Sequence, residues 1–274
     1  MTPPLAVLRQ HQLSKPVHIA ETAIAHVWRV NRSNGDLAAL KIYKNGDTKG
    51  EETGFRLTSA LNGHGAARVH FYADAVAILE WLDGPSLDTL SHNGNDLQAA
   101  ATLIKVADQI HANAPPITLP SLAENFAALI QLKLDPSWPA QTQRNISFGR
   151  KTARALLDNS QDMRALHGDL HHQNIKDSAR GYLAYDAKGL IGDRAYELAA
   201  AFQNPLGADA LVTDPARARQ LAQIWAQHWG TSPNRILSWA AAHSALSMTW
   251  AGNFEQPLHM RILDMLCAVA GLTD

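Results

Sequence analysis

Apolar positions follow two different rhythms along this chain. Up to residue 82 they come in short, partly alternating runs rich in β-branched and aromatic residues. Beyond it they recur at helical spacing. His26-Val27-Trp28-Arg29-Val30 and Leu37-Ala38-Ala39-Leu40-Lys41-Ile42-Tyr43 read as strands. Between them Asn31-Arg32-Ser33-Asn34-Gly35-Asp36 supplies turn chemistry, so the pair is expected to form a β-hairpin. Glu51 to Leu61 predicts a short helix stopped by Asn62-Gly63, and Val69–Tyr72 and Ala75–Trp81 predict two further strands. After the loop Asp83-Gly84-Pro85-Ser86 the helical pattern dominates. Helices are expected over Leu97–His111, Leu122–Leu134, Arg144–Asn159, Ala195–Gln203, Arg217–Trp229 and Arg235–Trp250. The order is a small β-rich lobe, a connector and a larger helical lobe. That is an α+β chain divided into 1–82 and 83–274, and the cleft between two lobes is a natural ligand site.

Composition narrows the class. A chain of 274 residues can bury about 75% of its unfolded surface, so a stable core is expected. The net charge of -1 and 18% charged residues argue against a strongly basic nucleic-acid binder and against a disordered chain. The single cysteine, Cys267, excludes an intramolecular disulfide framework and suits a reducing cytosol. No apolar run reaches the roughly 18 residues of a membrane span. Met1-Thr2-Pro3-Pro4-Leu5 lacks the basic and apolar regions of a signal peptide. A cytoplasmic monomer without nucleic-acid or membrane partners is the expectation.

The chemistry concentrates in His167-Gly168-Asp169-Leu170-His171-His172-Gln173-Asn174 and in Asp186, which ends the run Gly181-Tyr182-Leu183-Ala184-Tyr185. An Asp, an Asn and a second Asp in that order suit metal-assisted phosphoryl transfer. The first accepts the proton of an attacking hydroxyl, and the other two hold a metal ion against phosphates. Lys41 lies inside an apolar strand. It either faces solvent on an edge strand or places its ammonium on nucleotide phosphates, positioned by a carboxylate of the next helix. Glu51 and Glu52 both open that helix, and acids also suit helix starts for dipole reasons; Glu52 is the favoured partner. The turn Glu21-Thr22-Ala23-Ile24-Ala25-His26 would cover the phosphates. It has no glycine for close backbone approach, although Thr22 offers a hydroxyl.

These residues resemble the aminoglycoside phosphotransferase family of small-molecule kinases, with the protein-kinase-like fold. Within it they are most similar to the streptomycin 6-kinase and hydroxyurea phosphotransferase group. The resemblance runs from about Ile19 to about Gln203. It is strongest in His167–Ile175 and in Asp186-Ala187-Lys188-Gly189-Leu190-Ile191-Gly192-Asp193-Arg194-Ala195-Tyr196-Glu197-Leu198-Ala199. It implies an ATP- and Mg2+-dependent kinase acting on a small-molecule hydroxyl substrate that is aminoglycoside-like, a sugar or an amino alcohol. Antibiotic resistance is the family's usual role. Asp169 becomes the catalytic base, Asn174 and Asp186 magnesium ligands, and Lys41 a phosphate contact. Ile78-Leu79-Glu80-Trp81-Leu82-Asp83-Gly84 resembles the hinge, with the Glu80 carbonyl and the Leu82 amide on adenine. Asp193 resembles an acid that braces the catalytic loop. Lys188 stands two residues from a metal ligand, either neutralising the transferring phosphate or lying on the surface.

The chain departs from the group where His172-Gln173 replaces Pro-Gly and where Arg194 follows the structural acid in place of Pro. His172 thereby gains a claim on substrate. A metal-dependent hydrolase using His167, His171 and Asp169 is the rival enzyme class, although Gly168 weakens the helix it needs. A nucleotide-binding pseudokinase is a third reading, against which Asp169, Asn174 and Asp186 are all present. From Ala187 onward seven acids face six bases, which gives no acidic excess for a cationic acceptor. Trp225, Trp229, Trp239 and Trp250 are expected in the core at helical spacing. The segment Trp250–Glu255 is expected to approach the substrate, with His243 and Glu255 as candidate contacts.

Overall fold

The computed structural model describes residues 1–46, 48 and 50–271. A short helix α1 (Leu5–Gln10) precedes the strands β1 (Ser14–Glu21), β2 (Ala25–Asn31) and β3 (Leu37–Tyr43), the helix α2 (Glu52–Leu61), and β4 (Val69–Ala73) and β5 (Val76–Glu80). The five strands form one antiparallel sheet in the order β1-β2-β3-β5-β4. The expected hairpin is β2–β3, closed through Gly35 at φ 91. The sheet buries Trp28, Val30, Ala38, Leu40 and Ile78 on one face, and Ala25, Tyr43 and Ala77 on the other, against Phe55 of α2. β1 is an exposed edge strand whose side chains do not alternate in burial, so the hydrophobic pattern did not reveal it.

The rest is mainly helical: α3 (Asp88–His92), α4 (Asp96–Asn113), α5 (Leu122–Asn125), α6 (Ala127–Gln131), α7 (Ala140–Asp158), α8 (Asp209–Val212), α9 (Pro215–Trp229), α10 (Pro233–Ala251) and α11 (Pro257–Val269). α9 and α10 begin with a Pro at the first turn behind Asp214 and Ser232, whose side chains accept from Ala216 and Arg235 amides. α10 is buried along most of its length and packs on α7, α9 and α11. Two expected helices are broken. Leu122–Leu134 divides at the buried Phe126 into α5 and α6. Ala195–Gln203 is two 3-10 turns, Arg194–Tyr196 and Ala199–Gln203. The Asp193 carboxylate caps the first of them by accepting from the Ala195 amide. Glu197, at its end, is drawn to a neighbouring loop.

Two small antiparallel sheets carry the signature residues. β6 (Met163–Leu166) pairs with β9 (Leu190–Asp193), and β7 (Ile175–Lys176) with β8 (Leu183–Ala184). The loop 167–174 therefore runs from β6 to β7, and Asp186 lies between β8 and β9. The first sheet and this part are stitched by the Ala66–Ala184 bridge and by Ala67 N–H donating to the Ala184 carbonyl at 2.8 Å. Among the described residues no helix is long and apolar enough to cross a membrane.

Candidate active site

A cavity of about 330 Å3 opens where the sheet meets the helical part. Val27, Ala39 and Leu79 form an apolar wall, Lys41 and Asp186 its polar end. Lys41 gets there by strand period. It shares a face with Ala39, while Ala38 and Leu40 point into the core behind. β3 is central in its sheet, so the edge-strand explanation of Lys41 does not hold. Its ammonium lies 2.6 Å from Glu51 Oε2 and 3.0 Å from Asp186 Oδ1.

The partner on the helix side is Glu51, and the preference for Glu52 is corrected. Adjacent residues at a helix start differ by about 100° in direction. Glu51 faces the sheet, where the Tyr43 hydroxyl also donates to it, whereas Glu52 turns outward and accepts from Thr48. Burial works against the charge on Lys41. The Asp186 and Glu51 carboxylates outweigh it and raise the ammonium's pKa above its ordinary value. For Asp186, burial opposes ionisation, but Lys41 holds the carboxyl below the usual range. Asp186 also has a φ of 63, a left-handed backbone that costs a side-chain-bearing residue energy and clusters at functional sites.

The loop 167–174 is fixed from several sides. His167 is buried. Its Nε2 meets the Tyr185 carbonyl at 3.0 Å, and its Nδ1 accepts from the Asp169 amide at 3.3 Å. Asn174 donates from Nδ2 to the Asp169 carbonyl at 2.9 Å. The amides of Lys188 and Gly189 return to the His167 carbonyl, which joins the loop to the Asp186 segment. The loop's brace is Glu197, not Asp193. The Glu197 carboxylate accepts from the His167 and Gly168 amides at 2.9 and 3.0 Å, and His111 Nε2 lies 2.9 Å from it. Burial of Glu197 opposes its charge, and His111 and these amides still leave its pKa lowered. Asp193 instead accepts from Gln161, Ala195 and Arg235. The sequence signal available was an acid four residues after Asp193, just past the turn Arg194–Tyr196.

The remaining expected residues divide. Thr22, Glu80 and Leu82 line the cavity. The Thr22 hydroxyl is engaged inside its own turn, accepting from the Ala25 amide at 2.9 Å and donating to its carbonyl. Lys44, unforeseen, fastens the same turn through Glu21 at 2.8 Å and the Thr22 carbonyl at 2.7 Å. The Glu80 carboxylate is tied to Arg180 and the Arg68 amide. Lys188 is exposed, with its carbonyl held by Thr53 Oγ1 at 2.7 Å.

His172 does not face substrate. It is 1% exposed against Asp96 and Arg217, and burial lowers its pKa to about 3. His243 is also buried, bonded to the Tyr196 hydroxyl at 2.8 Å. Trp225, Trp229 and Trp239 are core, but Trp250 is 49% exposed, and Glu255 is exposed near it in sequence. The hydrolase alternative is not assembled. Both nitrogens of His167 are engaged, by the Tyr185 carbonyl and the Asp169 amide, and among the described residues no three His, Cys, Asp or Glu side chains converge on a metal position.

This architecture, a five-stranded lobe against a helical part with a lysine–aspartate pair across the cleft, is that of a phosphotransferase of the kinase-like class, acting on hydroxyl groups. The family model described as aminoglycoside/hydroxyurea antibiotic resistance kinase matches residues 10–254, and the chain belongs to that family. It is 34% identical over 231 residues to streptomycin 3''-kinase of Klebsiella pneumoniae, spanning 81% of this chain and 83% of that one. To streptomycin 6-kinase of Streptomyces griseus it is 30% identical over 176 residues, 62% of this chain and 55% of the relative. A crystal structure of the aminoglycoside phosphotransferase APH(4)-Ia, a ternary complex with ADP and hygromycin B, superposes with a TM-score of 0.67 at 13% identity. It covers 98% of this chain and 97% of the other.

Proposed function

We propose that this protein transfers the γ-phosphate of ATP, with Mg2+, to a hydroxyl of a streptomycin-like aminoglycoside. A sugar or an amino alcohol is the wider acceptor class. The observation that carries this reading is the Lys41–Asp186 pair, 3.0 Å apart at the polar end of an apolar slot. An adenine ring fits between walls of Val27, Ala39, Leu79 and Leu82, with the Glu80 carbonyl and Leu82 amide along its edge. Phosphates would then extend toward Lys41. The identity to streptomycin 3''-kinase supports the acceptor class. The lobes divide at Leu82, into 1–82 and 83–274.

The residues present suit a magnesium ion. Asp186 is an ionised carboxylate, and Asn174, whose Nδ2 is committed to the Asp169 carbonyl, keeps its side-chain oxygen for a hard cation. Magnesium, when bound there, supplies neutralisation of phosphate charge. Lys41 positions the phosphates. Lys188, on the backbone bonded to His167, adds a second positive charge near the transferring group. Thr22 holds the covering turn in shape. Asp169 aligns the acceptor hydroxyl and takes its proton as the oxygen–phosphorus bond forms and the bond to the β-phosphate oxygen breaks, releasing ADP. Phosphoryl transfer of this kind needs positioning and charge stabilisation more than covalent help.

The test is ATP consumption by the purified protein with magnesium over a panel of streptomycin, hygromycin B, simple sugars and amino alcohols, with product mass read directly. Phosphorylated streptomycin is the expected result. No phosphorylated product from any member, or hydrolysis that needs zinc and no ATP, overturns the reading.

A further inference from the structure

The catalytic loop's brace has a backing residue of its own. Glu197 is 1% exposed, and one carboxylate oxygen, Oε2, is shared by the His167 amide and by His111 Nε2, each at 2.9 Å. The other, Oε1, takes the Gly168 amide at 3.0 Å. A carboxylate only accepts, so the facing nitrogen of His111 must be the donor. Its other ring nitrogen, Nδ1, is buried without a partner. The imidazole therefore has one polar engagement, and it is this one. Leaving a buried carboxylate short of a donor costs more than an ordinary hydrogen bond.

We propose that His111 is a positioning residue for phosphoryl transfer: it fixes the Glu197 carboxylate, which in turn fixes the His167–Gly168 backbone that carries Asp169. This rests on the reading of Asp169 as the base that receives the acceptor's proton. His111 does not line the cleft cavity in which Lys41 and Asp186 stand. Loss of His111 should thus loosen where Asp169 points without altering how the nucleotide is held. α4, which carries His111, is secured elsewhere. Asp96 pairs with Arg217 at 2.8 Å, and Asp108 accepts from Trp229 Nε1 at 2.9 Å. A polar replacement at 111 should leave that helix docked.

Two variants separate positioning from packing. In His111→Gln the side-chain amide nitrogen can reach the place of Nε2, whereas in His111→Asn it is too short. Loss of a charge-assisted bond implies that His111→Asn lowers kcat with streptomycin roughly 10- to 100-fold. The KM for ATP should stay within about twofold and His111→Gln within a few-fold of wild type. A second readout does not depend on catalysis. Hydrogen exchange at the His167 and Gly168 amides should quicken about tenfold or more in His111→Asn and stay near wild type in His111→Gln, with β2–β3 amides unchanged in both. Equal exchange at 167 and 168 in wild type and both variants overturns the proposal, as does an equal kcat loss in both variants. If the wild type phosphorylates nothing, the functional reading fails while the exchange experiment still judges the brace.

Discussion

Gly54 and Ala187 meet backbone to backbone: a Cβ built on Gly54 would lie 1.8 Å from the Ala187 carbonyl oxygen. This is where α2, which follows Glu51, touches the segment after Asp186. Gly189 also meets the Thr53 carbonyl, at 2.3 Å for a built Cβ, and Thr53 Oγ1 donates to the Lys188 carbonyl at 2.7 Å. An alanine in place of a helical glycine ordinarily stabilises by about 1 kcal/mol. Here it must push α2 away from the cleft. Gly54→Ala should instead destabilise by about 1–3 kcal/mol, as overpacked sites do. It should also raise the KM for ATP, because Glu51 moves with the helix. Thermal unfolding and steady-state kinetics check both. A variant as stable and active as wild type would show that the contact yields freely.

Glu51 and Glu52 give a discriminating pair. Glu51 is the acid on Lys41, at 2.6 Å, and both side chains are mostly buried, 12% exposed for Lys41 and 17% for Glu51. Charged hydrogen bonds of this kind predict that Glu51→Gln loses roughly tenfold or more in kcat/KM for ATP. Glu52→Gln, on the outward side with Thr48, should change it by less than about twofold. Kinetics on the two single variants decide it, and the reverse order would place Glu52 on Lys41 in the working enzyme.

What the sequence made legible follows its local signals. The Asn34-Gly35 turn and β-branched flanks gave β2 and β3, and the helical periodicities gave α4, α7, α9 and α10 within a few residues. The reading failed where tertiary contacts decide. Glu51 against Glu52 is a matter of one residue's rotation on a helix. His172 follows Leu170 and His171 in a loop, and its burial on Asp96 and Arg217 depends on α4 and α9, more than 40 residues away on either side. The brace passed from Asp193 to Glu197 because two 3-10 turns replaced a continuous helix. Trp250 is apolar and at helical spacing like Trp239, yet it lies where α10 ends at Gly252 and leaves the core.

On the proposed mechanism Asp169 takes the acceptor's proton; its backbone amide and carbonyl hold the loop, while its carboxylate stands 3.9 Å from His171 Nε2. Asp169→Asn preserves size and that backbone while removing the proton acceptor. Turnover of streptomycin should fall about 100- to 10,000-fold, the usual contribution of a general base. The melting temperature should stay within about 2 °C of wild type. Differential scanning fluorimetry beside kinetics separates the two effects, and near-normal turnover would remove Asp169 from the role of base.

Acid should destabilise the fold before its carboxylates titrate. Burial lowers the pKa of His172 to about 3 and that of His243 to about 4, against an ordinary value of 6.5. Both are therefore neutral in the folded protein at pH 5 and largely protonated in the unfolded chain. The unfolded state binds more protons, so stability is complete above pH 6.5 and falls as pH drops through it, until the folded-state values are reached near 3 and 4. Asp96, Asp186 and Glu197 have lowered pKa values, so their contributions are lost only at still lower pH, below about 4. Between pH 7.5 and 5 each histidine should account for a loss of about 2 kcal/mol at most. Denaturant unfolding at a series of pH values measures the slope. His243→Phe removes one of these groups, together with its bond to Tyr196, and so lowers absolute stability. The loss between pH 7.5 and 5 should nonetheless shrink, by about 2 kcal/mol at most, while His172, His171 and His70, whose pKa values burial also lowers, keep the rest. An unchanged slope would mean that His243 is protonated in the folded state as readily as in the unfolded one.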